Sequence, residues 1–188
     1  MATNSDNVLV GVTGAIYKAP AGTTLPTSAY AALDVAFKEL GFVTEEGVTE
    51  AQSTQVTNLR AWQNGTVVRK VQTEHDVTYQ FTLMETNPEA LEAYYGNYAT
   101  ASGGGKVEIN AAKMPRECWV VDVIDDESKV RIVIPAGEVT TKGQVAYVNG
   151  NAATYSITLT AYEDPAYAGS ESADAKAYVY YDSDGTST

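Results

Sequence analysis

His75-Asp76-Val77-Thr78-Tyr79-Gln80-Phe81-Thr82-Leu83-Met84 is the stretch whose reading decides the class of fold. Val77, Tyr79, Phe81 and Leu83 occupy every second position, with Thr78, Gln80 and Thr82 between them. A period of two is that of a strand, whose successive side chains point to opposite faces. One face of this strand suits a core, and the other is polar but uncharged. The same alternation recurs in Thr154–Tyr162, where Tyr155, Ile157, Leu159 and Ala161 oppose Thr154, Ser156, Thr158 and Thr160. In Lys129–Ile134, Val130, Ile132 and Ile134 oppose Lys129, Arg131 and Val133. Glu117 to Asp125 is apolar on both faces in its middle, as expected of a strand covered on both sides. Asp125-Asp126-Glu127-Ser128 supplies the polar turn into the strand that follows. The expected class is mainly β, a sandwich or barrel-like core with one flanking α-helix.

Turn residues set the connections. Asn64-Gly65 separates Leu59–Gln63 from Thr66–Val71, and Asn-Gly suits a type I′ turn, where both central residues take positive φ. A two-residue turn there sets Gln63 opposite Thr66, Trp62 opposite Val67 and Arg60 opposite Arg69. Asn149-Gly150 separates Gln144–Val148 from Ala153–Tyr162 by the same logic. The sequon Asn64-Gly65-Thr66 is explained by the turn. One helix is well specified: Asn87 as N-cap, Pro88 first, Glu89 in the first turn, and Leu91, Tyr94 and Tyr95 on one stripe. Gly96 closes it in the left-handed conformation. A weaker helix is expected within Ser28–Leu40, where Leu33, Phe37 and Leu40 would share a face before Gly41. Ser102-Gly103-Gly104-Gly105 reads as a flexible connection. Residues 1–165 are expected to form one β domain with an N-terminal arm. Residues 166–188 form an acidic extension, with a last strand over Ala177–Tyr181 and a disordered tail over Asp182–Thr188.

Composition then excludes functions. The chain has 188 residues, 12 Lys plus Arg against 24 Asp plus Glu, and a net charge of −12. Sequence-specific DNA binding needs a basic footprint and is not expected. A hydrophobic content of 44% is that of a globular chain. No run of about 18 apolar residues offers a membrane span, and Met1–Asn7 carries no secretory pattern. Cys118 stands alone among Trp119, Val120 and Val121 and reads as a buried, inert thiol. His75, the one histidine, reads as a surface residue near a strand end. Gly103-Gly104-Gly105-Lys106 lacks the upstream Gly and the following Ser or Thr of a phosphate-binding loop. Asp122, Asp125, Asp126 and Glu127 do not follow the spacing of an EF-hand loop and read as a solvated hairpin tip. No catalytic residue, metal ligand or cofactor site is expected.

The informative feature is a charge contrast. Residues 57–71 hold Arg60, Arg69 and Lys70 and no acid, in a chain twice as acidic as basic. Like charges facing each other across a hairpin cost a few tenths to about 1 kcal/mol. Nearby acids of the same subunit would relieve that cost. Equally, the hairpin with Trp62 would project towards an acidic, apolar surface on another copy, since Arg and Trp are favoured interface anchors.

Ala36-Phe37-Lys38-Glu39-Leu40-Gly41-Phe42-Val43-Thr44-Glu45-Glu46-Gly47-Val48 resembles an N-terminal signature of the major tail tube proteins of long-tailed, non-contractile phages. Arg60-Ala61-Trp62-Gln63-Asn64-Gly65 resembles that family's following hairpin. Val8–Pro20, Ile134–Val139 and Tyr155–Tyr162 fit in the same order, so the resemblance spans about residues 8 to 165. It implies a β-sandwich or barrel-like tail-tube fold whose subunits form six-membered rings stacked into a tube. That tube would carry genomic DNA, as passing cargo, from head to host. It implies as partners further copies of the chain and other tail proteins such as tape measure and terminator. The location implied is the virion tail, after synthesis in the host cytoplasm. The N-terminal arm, the Thr44–Gln55 loop with Glu45 and Glu46, and the hairpin with Arg60, Trp62, Asn64, Gly65, Arg69 and Lys70 are expected at subunit contacts. The alternatives are a non-assembling β-sandwich binding or decoration module, and a carboxylate-dependent hydrolase.

Overall fold

The structure is a computed structural model, and it describes residues 9–97, 99–101, 104–125, 128–163 and 175–181. The strands are β1 (Thr13–Ala19), β2 (Lys38–Glu39), β3 (Val43–Arg60), β4 (Val67–Leu83), β5 (Ala99–Ala101), β6 (Gly104–Lys106), β7 (Arg116–Asp125), β8 (Ser128–Lys142), β9 (Tyr155–Tyr162) and β10 (Tyr178–Tyr181). Helix α1 (Pro88–Tyr95) follows β4. An antiparallel eight-stranded sheet runs β2-β1-β7-β8-β9-β4-β3, with β10 also on β8. β7 takes one edge of β8, while the other is shared: β10 pairs with Val130–Val133, and β9 with Ala136–Lys142. β5 and β6 form a separate small ribbon.

The alternating residues land where their period requires. Val77, Tyr79, Phe81 and Leu83 of β4, and Tyr155, Ile157, Leu159 and Ala161 of β9, are all buried in one cluster with Ile16, Trp119, Val121 and Ile134. α1 covers this face with Ala90, Ala93 and Tyr94. Its caps are those expected: Asn87 Oδ1 accepts from Ala90 N at 2.7 Å, and Gly96 takes φ 85°. β7 is indeed covered on both sides, because Cys118 and Val120 join Ala19, Phe37 and Val133 in a second cluster behind the sheet. Gly137 lets the sheet close on its largest side chain. A Cβ there would lie 2.6 Å from Trp119 Cδ1, and Trp119 Nε1 donates to the Gly137 carbonyl.

Several expectations are corrected. Ser28–Leu40 is not helical. Phe37 enters the second cluster and Leu40 the first, because the short strand β2 between them sends them to opposite sides of the sheet. Turn bonds take the place of helical ones: Ser28 Oγ accepts from Ala31 N, and Asp34 Oδ1 from Ala36 N. Asp122 is not at a solvated tip. It is buried opposite Arg131 in the β7–β8 register, paired to it at 2.7 and 2.9 Å and to Lys129 at 2.8 Å. Arg131 also donates to the carbonyls of Ala31 and Ser28, which fastens that segment to the sheet. The face of β8 that carries Lys129, Arg131 and Val133 is thus buried at both Arg131 and Val133. His75 lies within β4, half-buried, and its carbonyl accepts from Lys176.

Gln144–Val148 is not a strand, and of the Asn149-Gly150 pair only Gly150 takes positive φ. Gly104 and Gly105 belong to β6 and are not part of a free linker. The Thr44–Gln55 segment is not a loop but the first part of β3. The Asp182–Thr188 tail, Asp126-Glu127 and Ser102-Gly103 lie outside the described residues.

Candidate assembly surface

The β3–β4 hairpin outruns the sheet that supports it. β9 pairs with β4 over Val77–Leu83, leaving Val67–Asp76 of β4 and the β3 residues opposite as a two-stranded ribbon. Every residue from Glu50 to Arg60, and from Trp62 to Lys70, is exposed. The twelve steps from Val48 to Arg60 correspond to about 40 Å of strand. The sequence explains the ribbon's reach: β-branched and polar residues run through both strands without Pro, and only Glu50, Glu74 and Asp76 bring negative charge to its lower part.

At the tip, Asn64 (φ 57°) and Gly65 (φ 62°) both take positive φ, as a type I′ turn demands. The register differs from the simple two-residue expectation. A bulge between Leu59 and Arg60 sets Leu59 opposite Arg69 and Arg60 opposite Val67, so the Arg60–Arg69 repulsion is absent. Arg60 Nη1 instead donates to the Gly65 carbonyl at 3.0 Å and closes the loop. Trp62 does not face Val67. It sits within the loop and is 99% exposed. Asn58 opposes Lys70, next to the Leu59–Arg69 pair, so Arg69 and Lys70 occupy opposite faces of the ribbon. Among the described residues, Arg60, Arg69 and Lys70 have no carboxylate within salt-bridge distance.

Glu45 and Glu46 are not near the tip. They bulge from the root of the same strand: Val43 opposes Leu83 and Val48 opposes Phe81, so Thr44-Glu45-Glu46-Gly47 is looped out against the single residue Thr82. This bulge walls a groove of about 660 Å³ whose other wall is Gly11–Ile16, with Val121–Val123 as its floor. Among the described residues Thr13–Ala15 have no strand on the side away from β7, since β2 reaches only Tyr17 and Lys18. β3 has β4 as its one neighbour among the described strands. Two open β-edges therefore border the groove. Phe42 (76% exposed) and Val12 (71%) stand bare beside it. Thr44 Oγ1 is buried without a hydrogen-bond partner.

The groove is electronegative. Glu39, Glu45 and Glu46 line it, and among the described residues none has a cationic partner. Burial, then the carboxylates of Glu39 and Asp122, push the neighbouring Tyr17 phenol above its ordinary pKa. Glu85 is occupied by the Phe42 N–H and the Asn87 side chain. Residue spacing pointed to the hairpin but missed the groove. The family resemblance names Glu45 and Glu46 of the groove wall, and a further sequence signal is Phe42, an aromatic between Gly41 and Val43 that has no place in a strand alternation. No cluster of three metal-ligating side chains occurs among the described residues, and none of their helices is long and apolar enough to cross a membrane.

Comparison with known proteins gives one assignment. The sequence model of the phage tail tube protein family matches residues 1–180. No curated protein matches the chain. Among solved structures, the anti-feeding prophage cap, described as a tube terminating cap, is similar at 9% identity and a TM-score of 0.47, over 95% of this chain and 98% of that one. The sheath–tube complex of an extracellular contractile injection system in its extended state is similar at 9% identity and a TM-score of 0.47, over 95% and 98% of the two chains. A chain from the virion of a native gene transfer agent is similar at 8% identity and a TM-score of 0.41, over 96% and 99%.

Proposed function

The chain belongs to the phage tail tube protein family, and from that premise we propose that it assembles into stacked six-membered rings forming the tube of a long, non-contractile tail. Family membership makes it a structural component of the virion tail and not an enzyme. The tube conducts the genome towards the host, and tape measure and terminator proteins are its other tail partners. DNA passes as cargo and is not bound: an acid excess of 12 charges sets up a field that repels phosphate. The non-contractile type rests on the sequence resemblance alone.

One observation carries the assembly reading. Among the described residues the outer half of the β3–β4 ribbon has no strand or helix packed on it, yet it displays Trp62, Leu59, Val68 and three cations to solvent. A lone two-stranded ribbon is marginal in water, and an open edge invites pairing. Symmetric assembly turns both liabilities into contacts. Arg60, Trp62, Asn64, Gly65, Arg69 and Lys70 then act as a contact element at the tip, and Glu45 and Glu46 as one at the root.

The test is light scattering and negative-stain microscopy of the purified protein across concentration and salt. Hollow tubes or six-fold rings are expected; a strict monomer throughout would overturn the reading and favour a non-assembling module. Replacing Arg60 and Trp62 by Ala should slow polymerisation while leaving the urea midpoint unchanged. Normal tubes at normal rates from that variant would remove the hairpin from the interface.

A further inference from the structure

We propose that the groove between β1 and the β3 bulge is the receptor for the hairpin tip of a second copy of this chain. The inference rests on the self-assembly reading and names the partner of its contact elements. Charge matches first. Among the described residues the tip carries Arg60, Arg69 and Lys70 without a paired carboxylate, and the groove carries Glu39, Glu45 and Glu46 without a paired cation. Each surface supplies what the other lacks, which is the arrangement that selects a partner and speeds its encounter.

Shape and polarity agree with charge. An indole held in water at 99% exposure is costly, and Phe42 and Val12 offer it an apolar seat. A space of about 660 Å³ lies in the ~300–1,000 Å³ range of clefts that bury drug-sized ligands, so the indole and its neighbours fit together. The borders are open β-edges, which can hydrogen-bond an arriving extended segment. Thr44 Oγ1, buried and unpartnered, awaits a polar group from the incoming chain.

The contact cannot close within one chain. Tip and groove lie at opposite ends of the same strand, about 40 Å apart from Val48 to Arg60 at strand rise. The interface is therefore heterologous, tip of one copy into groove of the next, and it repeats.

Reciprocal charge reversal tests this, monitored by the critical concentration for assembly. Glu45→Lys with Glu46→Lys, and separately Arg69→Glu with Lys70→Glu, should each raise it by at least about tenfold, since facing like charges cost several kcal/mol. All four residues are exposed, so folding should not change. Combining the four substitutions in one chain should bring the critical concentration back to within about threefold of the original. In a second measurement, a Val12→Cys protein mixed with a Gln63→Cys protein, which keeps Trp62, should yield a disulfide-linked pair; the native Cys118 is buried and silent. If reversal at the groove leaves assembly normal while reversal at the tip abolishes it, or if assembled material gives no 12–63 cross-link, the groove is not the receptor. In both outcomes the self-assembly reading stands. A wild-type protein that never assembles overturns that reading, and this inference with it.

Discussion

Asp122→Ala isolates the most consequential polar contact in the fold. Asp122 and Arg131 side chains are each 4% exposed, and two hydrogen bonds of 2.7 and 2.9 Å join them. Deleting the carboxylate leaves a guanidinium that cannot lose its proton in a site closed to water. Lys129, the second partner at 2.8 Å, is less deeply placed and can turn outward. Breaking a buried pair from one side costs about 3–5 kcal/mol. That is a large share of the ~5–15 kcal/mol that holds a typical domain together. With a urea slope of ~2 kcal/mol per molar, the midpoint should fall by about 1.5–2.5 M. Fluorescence reports it cleanly: Trp119 is 1% exposed and responds to unfolding, whereas Trp62 is already in water. Asp122→Leu with Arg131→Met removes both charges and should recover part of the loss, the remainder reflecting the Ala31 and Ser28 carbonyls that Arg131 no longer serves. A loss below about 1 kcal/mol in Asp122→Ala would refute the argument, because a desolvated, unpaired guanidinium cannot be that cheap.

Phe81→Ala, at a 2% exposed site against Trp119, should cost about 3–5 kcal/mol in urea unfolding while leaving the exposed tip unaltered. Asn87→Ala should cost about 1–2 kcal/mol, since it removes the cap on Ala90 N and the bond to the Leu40 carbonyl; a loss under about 0.3 kcal/mol would show the cap to be idle. Glu117 gives a pH signature. Burial raises its pKa, more than Lys18 at 3.1 Å lowers it. A carboxyl with a raised folded pKa binds its proton more tightly when folded, so its contribution to stability declines as pH rises from about 4.5 through the folded value. Glu117→Gln should flatten that decline, seen as a smaller difference between urea midpoints at pH 4.5 and pH 7. An unchanged difference would refute the assignment.

The sequence disclosed what depends on local period and turn chemistry. The faces of β4 and β9, the two-sided burial of β7, the α1 caps and the positive φ at Asn64-Gly65 all follow from neighbours within a few residues. What it hid depends on distant partners. Leu33, Phe37 and Leu40 have helical spacing, yet a bridge to β1 splits Phe37 from Leu40. Asp122 sits in an acidic run, but the residue that matters to it is Arg131 across the hairpin. The Arg60–Val67 register turns on one bulged residue, a displacement that alternation alone does not reveal. The tip of the candidate surface was legible because its residues are contiguous. The groove was not, because β1, β3 and β7 build it from three separate parts of the chain.

β3 carries the receiving bulge near its first residue and the inserting tip near its last. A polymer joined through these two features has direction. One terminus ends in unfilled acidic clefts and the other in bare basic ribbons, so the termini grow at different rates and respond differently to salt. Whatever seals each terminus must also differ in kind: a cationic, aromatic-bearing ribbon for the first, an acidic cleft for the second.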